Sequence, residues 1–170
     1  IVRDARLRSV QACPHAVPAQ VHSVGIGAAA EVATAYAAAL GAHPAIDNSG
    51  PLPSLDMLLL GTGGDGHCGM LFPDSPEIKA TGQGLSVVAV EGKAAVALTM
   101  DVMCAAKYVL VSAAGAGRAE MVSKALSGEF GPYDCPAGMV EAQIETLWFV
   151  DEESMTDFSA VADELMEEDV

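Results

Sequence analysis

The residues best suited to chemistry sit together in the run Gly61-Thr-Gly-Gly-Asp-Gly-His67. An imidazole titrates near neutrality and can take a proton from water, which makes His67 a candidate general base. Asp65, two residues earlier, is placed to shape the turn so that His67 projects outward. Gly61, Gly63, Gly64 and Gly66 allow positive φ and let the backbone approach a ligand closely. The N–H groups of the Gly63–Gly66 stretch are candidates to stabilise an oxyanion. Glycine-rich strand-to-helix turns are common, however, and Gly-Asp-Gly-His alone does not distinguish a catalytic loop from an ordinary one.

The elements that must hold this loop follow from the apolar pattern. Leu55–Leu60 is apolar nearly throughout and reads as a strand covered on both faces of a parallel sheet. The glycine-rich loop begins where that strand ends, and in open α/β sheets ligands bind beyond the carboxyl ends of strands. Further strands are expected at Val21–Val24, Leu85–Val90, Tyr108–Ser112 and Leu147–Val150. Helices are expected at 4–12, Ala28–Leu40, Thr99–Ala106, Gly117–Leu126 and Asp151–Glu168, with a short segment starting at Pro136. Strands alternating with helices imply an α/β fold: a mostly parallel open sheet with helices on both faces. Met100, Met103, Met121 and Trp148 are assigned to the core.

Composition limits the function. The 170 residues suit one domain, 1–170, with an acidic tail at 163–170. A formal net charge of -15 repels phosphate backbones, which excludes nucleic acid as a partner. It also repels an anionic small molecule unless cations or backbone N–H groups gather locally, and there are only eight Lys and Arg to choose from. Cys13, Cys68, Cys104 and Cys135 form no C-x-x-C pair, so no metal site is expected and the thiols read as reduced. Cys68 is read as packing rather than as a nucleophile. His15, His22 and His43 read as surface or loop residues. No apolar run reaches 18 residues, so no membrane span is expected. Without an initiator Met, Ile1 reads as the start of a processed, trimmed or partial chain.

The longer string Leu-Leu-Leu-Gly-x-Gly-x-Asp-Gly-His-x-x-x-Leu-Phe-Pro-Asp at 58–74 resembles the signature of the 6-phosphogluconolactonase family. Other segments resemble that family in the same order. They are Val17-Pro-Ala-Gln-Val21, Lys107-Tyr-Val-Leu-Val-Ser112, Gly115-Ala-Gly-Arg-Ala119, Pro136-Ala-Gly-Met-Val140 and Thr146-Leu-Trp-Phe-Val-Asp151. The resemblance spans roughly residues 5 to 160. It implies hydrolysis of 6-phosphoglucono-δ-lactone to 6-phosphogluconate in the oxidative pentose phosphate pathway, with no metal or organic cofactor. It assigns His67 as the base that activates water. Arg118 stands where the family has the Lys of Gly-x-x-Lys-Ala, and the start of a helix there also favours an anion. Lys93 falls near the family's Lys-Pro-Pro stretch and is a second candidate for the phosphate.

This chain departs from the family pattern in three ways. The family's early Ser-Gly-Gly loop and Asp-Glu-Arg motif have no counterpart here, so the domain is expected to be N-terminally incomplete, lacking its first strands. The prolines after Lys93 are absent. Ala95 stands where the family has Arg. Two alternatives therefore stay open. One is the related aminosugar-phosphate deaminase/isomerase group, which shares the loop but not Leu71-Phe-Pro-Asp74. The other is a non-catalytic lactonase-like domain that serves as a structural or interaction module, fused or assembled with other segments. Cytosol and plastid both suit the composition.

Overall fold

The computed structural model describes residues 22–80, 87–93 and 95–158. The expected helix at 4–12, His15, Cys13, Val21, the acidic tail at 163–170 and most of the expected C-terminal helix lie outside these residues.

The chain forms an α/β fold around a parallel sheet. Strand β1 (Met57–Gly61) pairs in parallel with β4 (Tyr108–Ala113), which pairs in parallel with β5 (Glu145–Val150). The central strand, β4, supplies the deepest side chains: Val109, Val111 and Ala113 are fully buried. Between β1 and β4 the chain makes a second, antiparallel pair, β2 (Val87–Ala89) with β3 (Val96–Leu98). Strand β3 has no counterpart among the expected elements. Three apolar residues are too short a run to separate from the helix that follows them.

Helix α1 (Ala29–Ala42) packs Ala33 and Leu40 against Val87, with Tyr36, Val96 and Leu98 around them. Helix α2 (Met100–Ala105) starts at Thr99, whose Oγ1 accepts from the Val102 N–H at 3.4 Å, an N-cap that satisfies one orphan donor. Helix α3 (Ala119–Ser127) stops at Gly128, which takes the left-handed φ of 74° that ends helices. Helix α4 (Pro136–Met139) begins with Pro136, where the missing N–H would have no partner in any case. Met100, Met103 and Met121 lie in the core as expected, and Trp148 packs against it half-buried. After β5 the chain makes a turn at 152–155 before helix resumes at 156–158, so the helix expected from Asp151 starts later.

The two faces of the parallel sheet differ. In register, Leu58 and Leu60 of β1 lie with Val109, Val111 and Trp148 on the core side. On the opposite side Leu59 is 73% exposed and Phe149 58% exposed. The expectation that β1 is covered on both faces fails among the described residues, because no described element packs over Met57 and Leu59. Nor is there a strand at 22–24.

Candidate active site

The loop after β1 closes on itself. Thr62 bridges to Cys68 and Cys68 to Leu71, and Gly69 N–H donates to the Gly61 carbonyl at 3.2 Å. Within this neck, Gly63 N–H donates to the His67 carbonyl at 3.0 Å and Gly66 N–H to the Gly63 carbonyl at 3.1 Å. Gly66 at φ 86° and Gly69 at φ 53° make the reversals, and even Met70 is left-handed at φ 69°. A left-handed non-glycine residue costs about 1–2 kcal/mol, so surrounding contacts must hold it there. The backbone bonds exchanged by Cys68 and Leu71, at 3.1 and 2.9 Å, close the turn around Met70, and both residues are fully buried. No helix follows this loop among residues 72–80.

His67 and Asp65 are brought together. Asp65 Oδ1 lies 2.7 Å from His67 Nδ1 and also accepts the His67 backbone N–H at 3.2 Å. Burial pushes the Asp65 carboxyl up, but the hydrogen bonds from the His67 backbone and ring outweigh it and hold the group below its ordinary value. An ionised carboxylate only accepts, so Nδ1 must carry the proton of the shared bond. The neutral ring then presents its lone pair on Nε2. The side chain is 29% exposed, open enough to meet water. Phe72 packs on the ring with centroids 4.6 Å apart, and Lys93 Nζ lies 5.6 Å from the Phe72 centroid. Lys93, itself exposed, thus stands near the His67 site with Phe72 between.

The glycines have different tasks. A Cβ on Gly63 would fall inside van der Waals contact with Cε1 and Nδ1 of His67 and 2.6 Å from Asp65 Oδ1, so the imidazole lies directly over this residue. A Cβ on Gly64 would collide with the Gly117 carbonyl, which shows that the loops after β1 and β4 touch. Gly66 packs against Cys135, at 3.4 Å from a built Cβ, and its carbonyl accepts from Ala137 N–H at 3.0 Å. Of the N–H groups proposed for an oxyanion, those of Gly63 and Gly66 are engaged inside the loop. That of Gly64 has no hydrogen bond among the described residues. Cys68 is fully buried, and burial with the Cys135 thiol nearby pushes its thiol up to about 12, a packing residue and not a nucleophile.

Arg118 ends a 3-10 turn, Ala116–Arg118, and stands immediately before α3 without capping it through its side chain. Its Nε donates to the Thr62 carbonyl at 3.1 Å and its Nη1 to the Ala114 carbonyl at 2.8 Å. One guanidinium therefore ties the carboxyl ends of β1 and β4 while keeping further N–H donors. A cleft of about 290 Å³ opens beside the loop, lined by Gly64, Asp65, Gly66, Glu120, Lys124 and Asp134 among others; His67 does not line it. Lys124 there is paired with Asp134 at 3.2 Å. Among the described residues no three His, Cys, Asp or Glu side chains gather as a metal-ligand set, and no helix is long and apolar enough to cross a membrane.

Sequence reasoning missed Thr62, Phe72 and the carboxylates of Asp151 and Glu153. The last two accept backbone N–H groups of the β4 loop: Gly115 to Asp151 at 2.9 and 3.0 Å, Ala116 to Glu153 at 3.3 Å. The available signal was position, because Asp151 follows β5 at the same rim of the sheet.

The chain is similar to known proteins over most of its length. The family model described as glucosamine-6-phosphate isomerases/6-phosphogluconolactonase matches residues 1–148. A 6-phosphogluconolactonase of Streptomyces coelicolor is 36% identical over 156 residues, covering 88% of this chain and 59% of that protein. The human 6-phosphogluconolactonase is 35% identical over 106 residues, covering 59% of this chain and 40% of that protein. The solved 6-phosphogluconolactonase of Trypanosoma brucei superposes with a TM-score of 0.60 at 25% identity, covering 75% of this chain and 52% of that one. The chain spans about half the length of the curated relatives it matches.

Proposed function

Because this chain belongs to the family of glucosamine-6-phosphate isomerases and 6-phosphogluconolactonases, we propose that it carries the catalytic loop of a lactonase. Its reaction is the hydrolysis of 6-phosphoglucono-δ-lactone to 6-phosphogluconate in the oxidative pentose phosphate pathway. The observation that carries this reading is the Asp65–His67 pair, with Nδ1 committed to Asp65 and Nε2 left to act.

In this reading His67 Nε2 takes a proton from water as the water oxygen attacks the lactone carbonyl. The tetrahedral oxyanion is met by backbone N–H, with the Gly64 N–H, which makes no hydrogen bond among the described residues, the candidate donor in the loop. As the ring C–O bond breaks, the imidazolium returns its proton to the leaving oxygen. Asp65 holds the ring orientation and stabilises the imidazolium while it exists, as the carboxylate of a Ser-His-Asp triad does. Arg118 supplies positive charge for the substrate's phosphate, with Lys93 a weaker second. No step calls on a metal or an organic cofactor. The single domain at 1–170 and a cytosolic or plastid setting belong to the same proposal, and the free thiols of Cys68, Cys104 and Cys135 suit a reducing compartment.

The test is lactone hydrolysis by the complete protein against His67→Ala. A base of this kind contributes about 10²–10⁴-fold, so the variant should lose at least a hundredfold in kcat. An unchanged rate would reject the reading. The open apolar side of the sheet, with Leu59 and Phe149 exposed, favours a second reading, a non-catalytic interaction module. A wild-type rate no greater than that of His67→Ala would leave that module as the better account.

A further inference from the structure

The turn that carries Arg118 takes part of its support from residues far along the chain. Gly115 takes φ 90° and ψ 149°, a conformation essentially confined to glycine, and its N–H points to the end of β5. There both carboxylate oxygens of Asp151 accept it, at 2.9 and 3.0 Å, and Glu153 Oε2 accepts the next N–H, that of Ala116. Asp151 is itself fixed. Its Oδ1 accepts the Ser154 N–H at 2.9 Å, Ser154 Oγ accepts the Asp151 N–H at 3.0 Å, and Ser154 is fully buried. The Gly115 carbonyl accepts the Arg118 N–H at 3.0 Å. Arg118 in turn reaches Thr62, whose Oγ1 donates to the Ser112 carbonyl at 2.9 Å and whose next residue, Gly63, underlies the His67 ring.

We propose that Asp151 is a positioning residue: it sets the Gly115–Arg118 turn, and through Arg118 it fixes where the anionic end of the substrate is received beside the His67 loop. A continuous series of hydrogen bonds runs from β5 across β4 to β1, each bridge between residues 36 or more positions apart joining two loops at one rim. The local alternative is that Asp151 merely caps the turn at 152–155 through Ser154. A cap needs one oxygen; Asp151 uses both on Gly115, and the Gly115 and Ser154 N–H groups, with the Ser154 hydroxyl, hold its carboxyl below the ordinary value. This inference rests on the reading of Arg118 as the phosphate's cation.

The experiment separates the two roles in the complete protein. Asp151→Ser keeps a capping oxygen for the Ser154 N–H but is too short to reach Gly115. It should raise KM for the lactone about tenfold with kcat within about threefold, as expected for loss of a charge-assisted hydrogen bond that orders a binding group. On an Arg118→Ala background the same change should add nothing further, because two residues acting through one contact are not additive. Asp151→Asn, which keeps an acceptor for Gly115, should restore KM to within about threefold of wild type. Hydrogen exchange of the Arg118 Nε–H gives a readout independent of turnover, and in Asp151→Ser it should speed up about tenfold. An unchanged KM, a fall confined to kcat, effects that multiply across the two backgrounds, or equal Nε–H exchange would overturn the proposal. If the wild type hydrolyses no lactone, the lactonase reading fails, and the exchange measurement alone decides whether Asp151 positions Arg118. Should Asp151→Ser fail to fold, the exchange test passes to Asp151→Asn, whose Arg118 Nε–H should exchange within about threefold of wild type; a tenfold faster rate in this variant, which keeps the Gly115 acceptor, would overturn the proposal.

Discussion

The loops after β1 and after β4 leave the same rim of one sheet and are built on opposite principles. The β1 loop is shaped mostly from within. Most of its hydrogen bonds join residues 61–71 to one another, with Ser112, Arg118 and Ala137 bonded at Thr62 and Gly66, and the Asp65–His67 pair spans two positions. The β4 loop adds to its own turn bonds a set of distant partners, Asp151 and Glu153 at its N–H groups and the Thr62 carbonyl at its guanidinium. A loop that encodes its own geometry can place a proton-transfer group to the tolerance that chemistry needs. A loop held by distant groups couples a binding cation to the whole sheet. The division suggests that damage to the first should appear in kcat and damage to the second in KM.

The sharpest way to break the comparison is Gly63→Ala. Its Cβ must displace the imidazole, and a ring moved by about 1 Å should lower kcat about a hundredfold while KM holds. If kinetics show KM rising instead, the β1 loop is not a purely catalytic element. Asp65→Asn should act less severely, about tenfold in kcat, because Asn still accepts from Nδ1 but no longer stabilises the imidazolium by charge.

The pH profile sharpens the same point. The Asp65 carboxyl is held below its ordinary value, so its contribution is complete above the unfolded value of about 3.9 and is lost only as pH falls through the lower folded value. Loss of kcat through Asp65 should therefore appear only below about 3.9. A fall in kcat above that value, present in the wild type and absent in Asp65→Asn, would show that Asp65 titrates higher. The smallest effect is expected from Arg118→Lys. It keeps charge but cannot reach the Thr62 and Ala114 carbonyls with one planar fork, so KM should rise about fivefold with kcat unchanged. A loss in kcat equal to that of Asp65→Asn would erase the distinction between the loops.

The motif-bearing parts of the site were legible because their information is local. Glycine spacing, a strand ending at the loop and the pair at 65 and 67 needed no knowledge of the rest of the chain, and the family resemblance rested on that contiguous string. The α/β alternation was equally readable from apolar runs, and so was the start of the helix at Arg118. What failed was non-local. The short β3 strand exists because it pairs with β2, and no single three-residue run announces a partner. Coverage of β1 on both faces was inferred from Leu58, Leu59 and Leu60 all being apolar. Apolar composition records what a face can bury and says nothing of whether a described element lies against Leu59.

The sequence by itself determined the chemistry offered at residue 67, because an imidazole, a neighbouring carboxylate and glycines that yield φ > 0 act within a few ångströms of their own backbone. Only the tertiary structure decided what aims the Arg118 cation at that rim. Asp151, Gly115, Arg118 and Thr62 are scattered over 90 positions of chain, and they meet because parallel pairing brings the carboxyl ends of β1, β4 and β5 to one edge. Hydrogen bonds decay over a single contact distance. Their partners across such separations are therefore fixed by topology, which no local pattern contains.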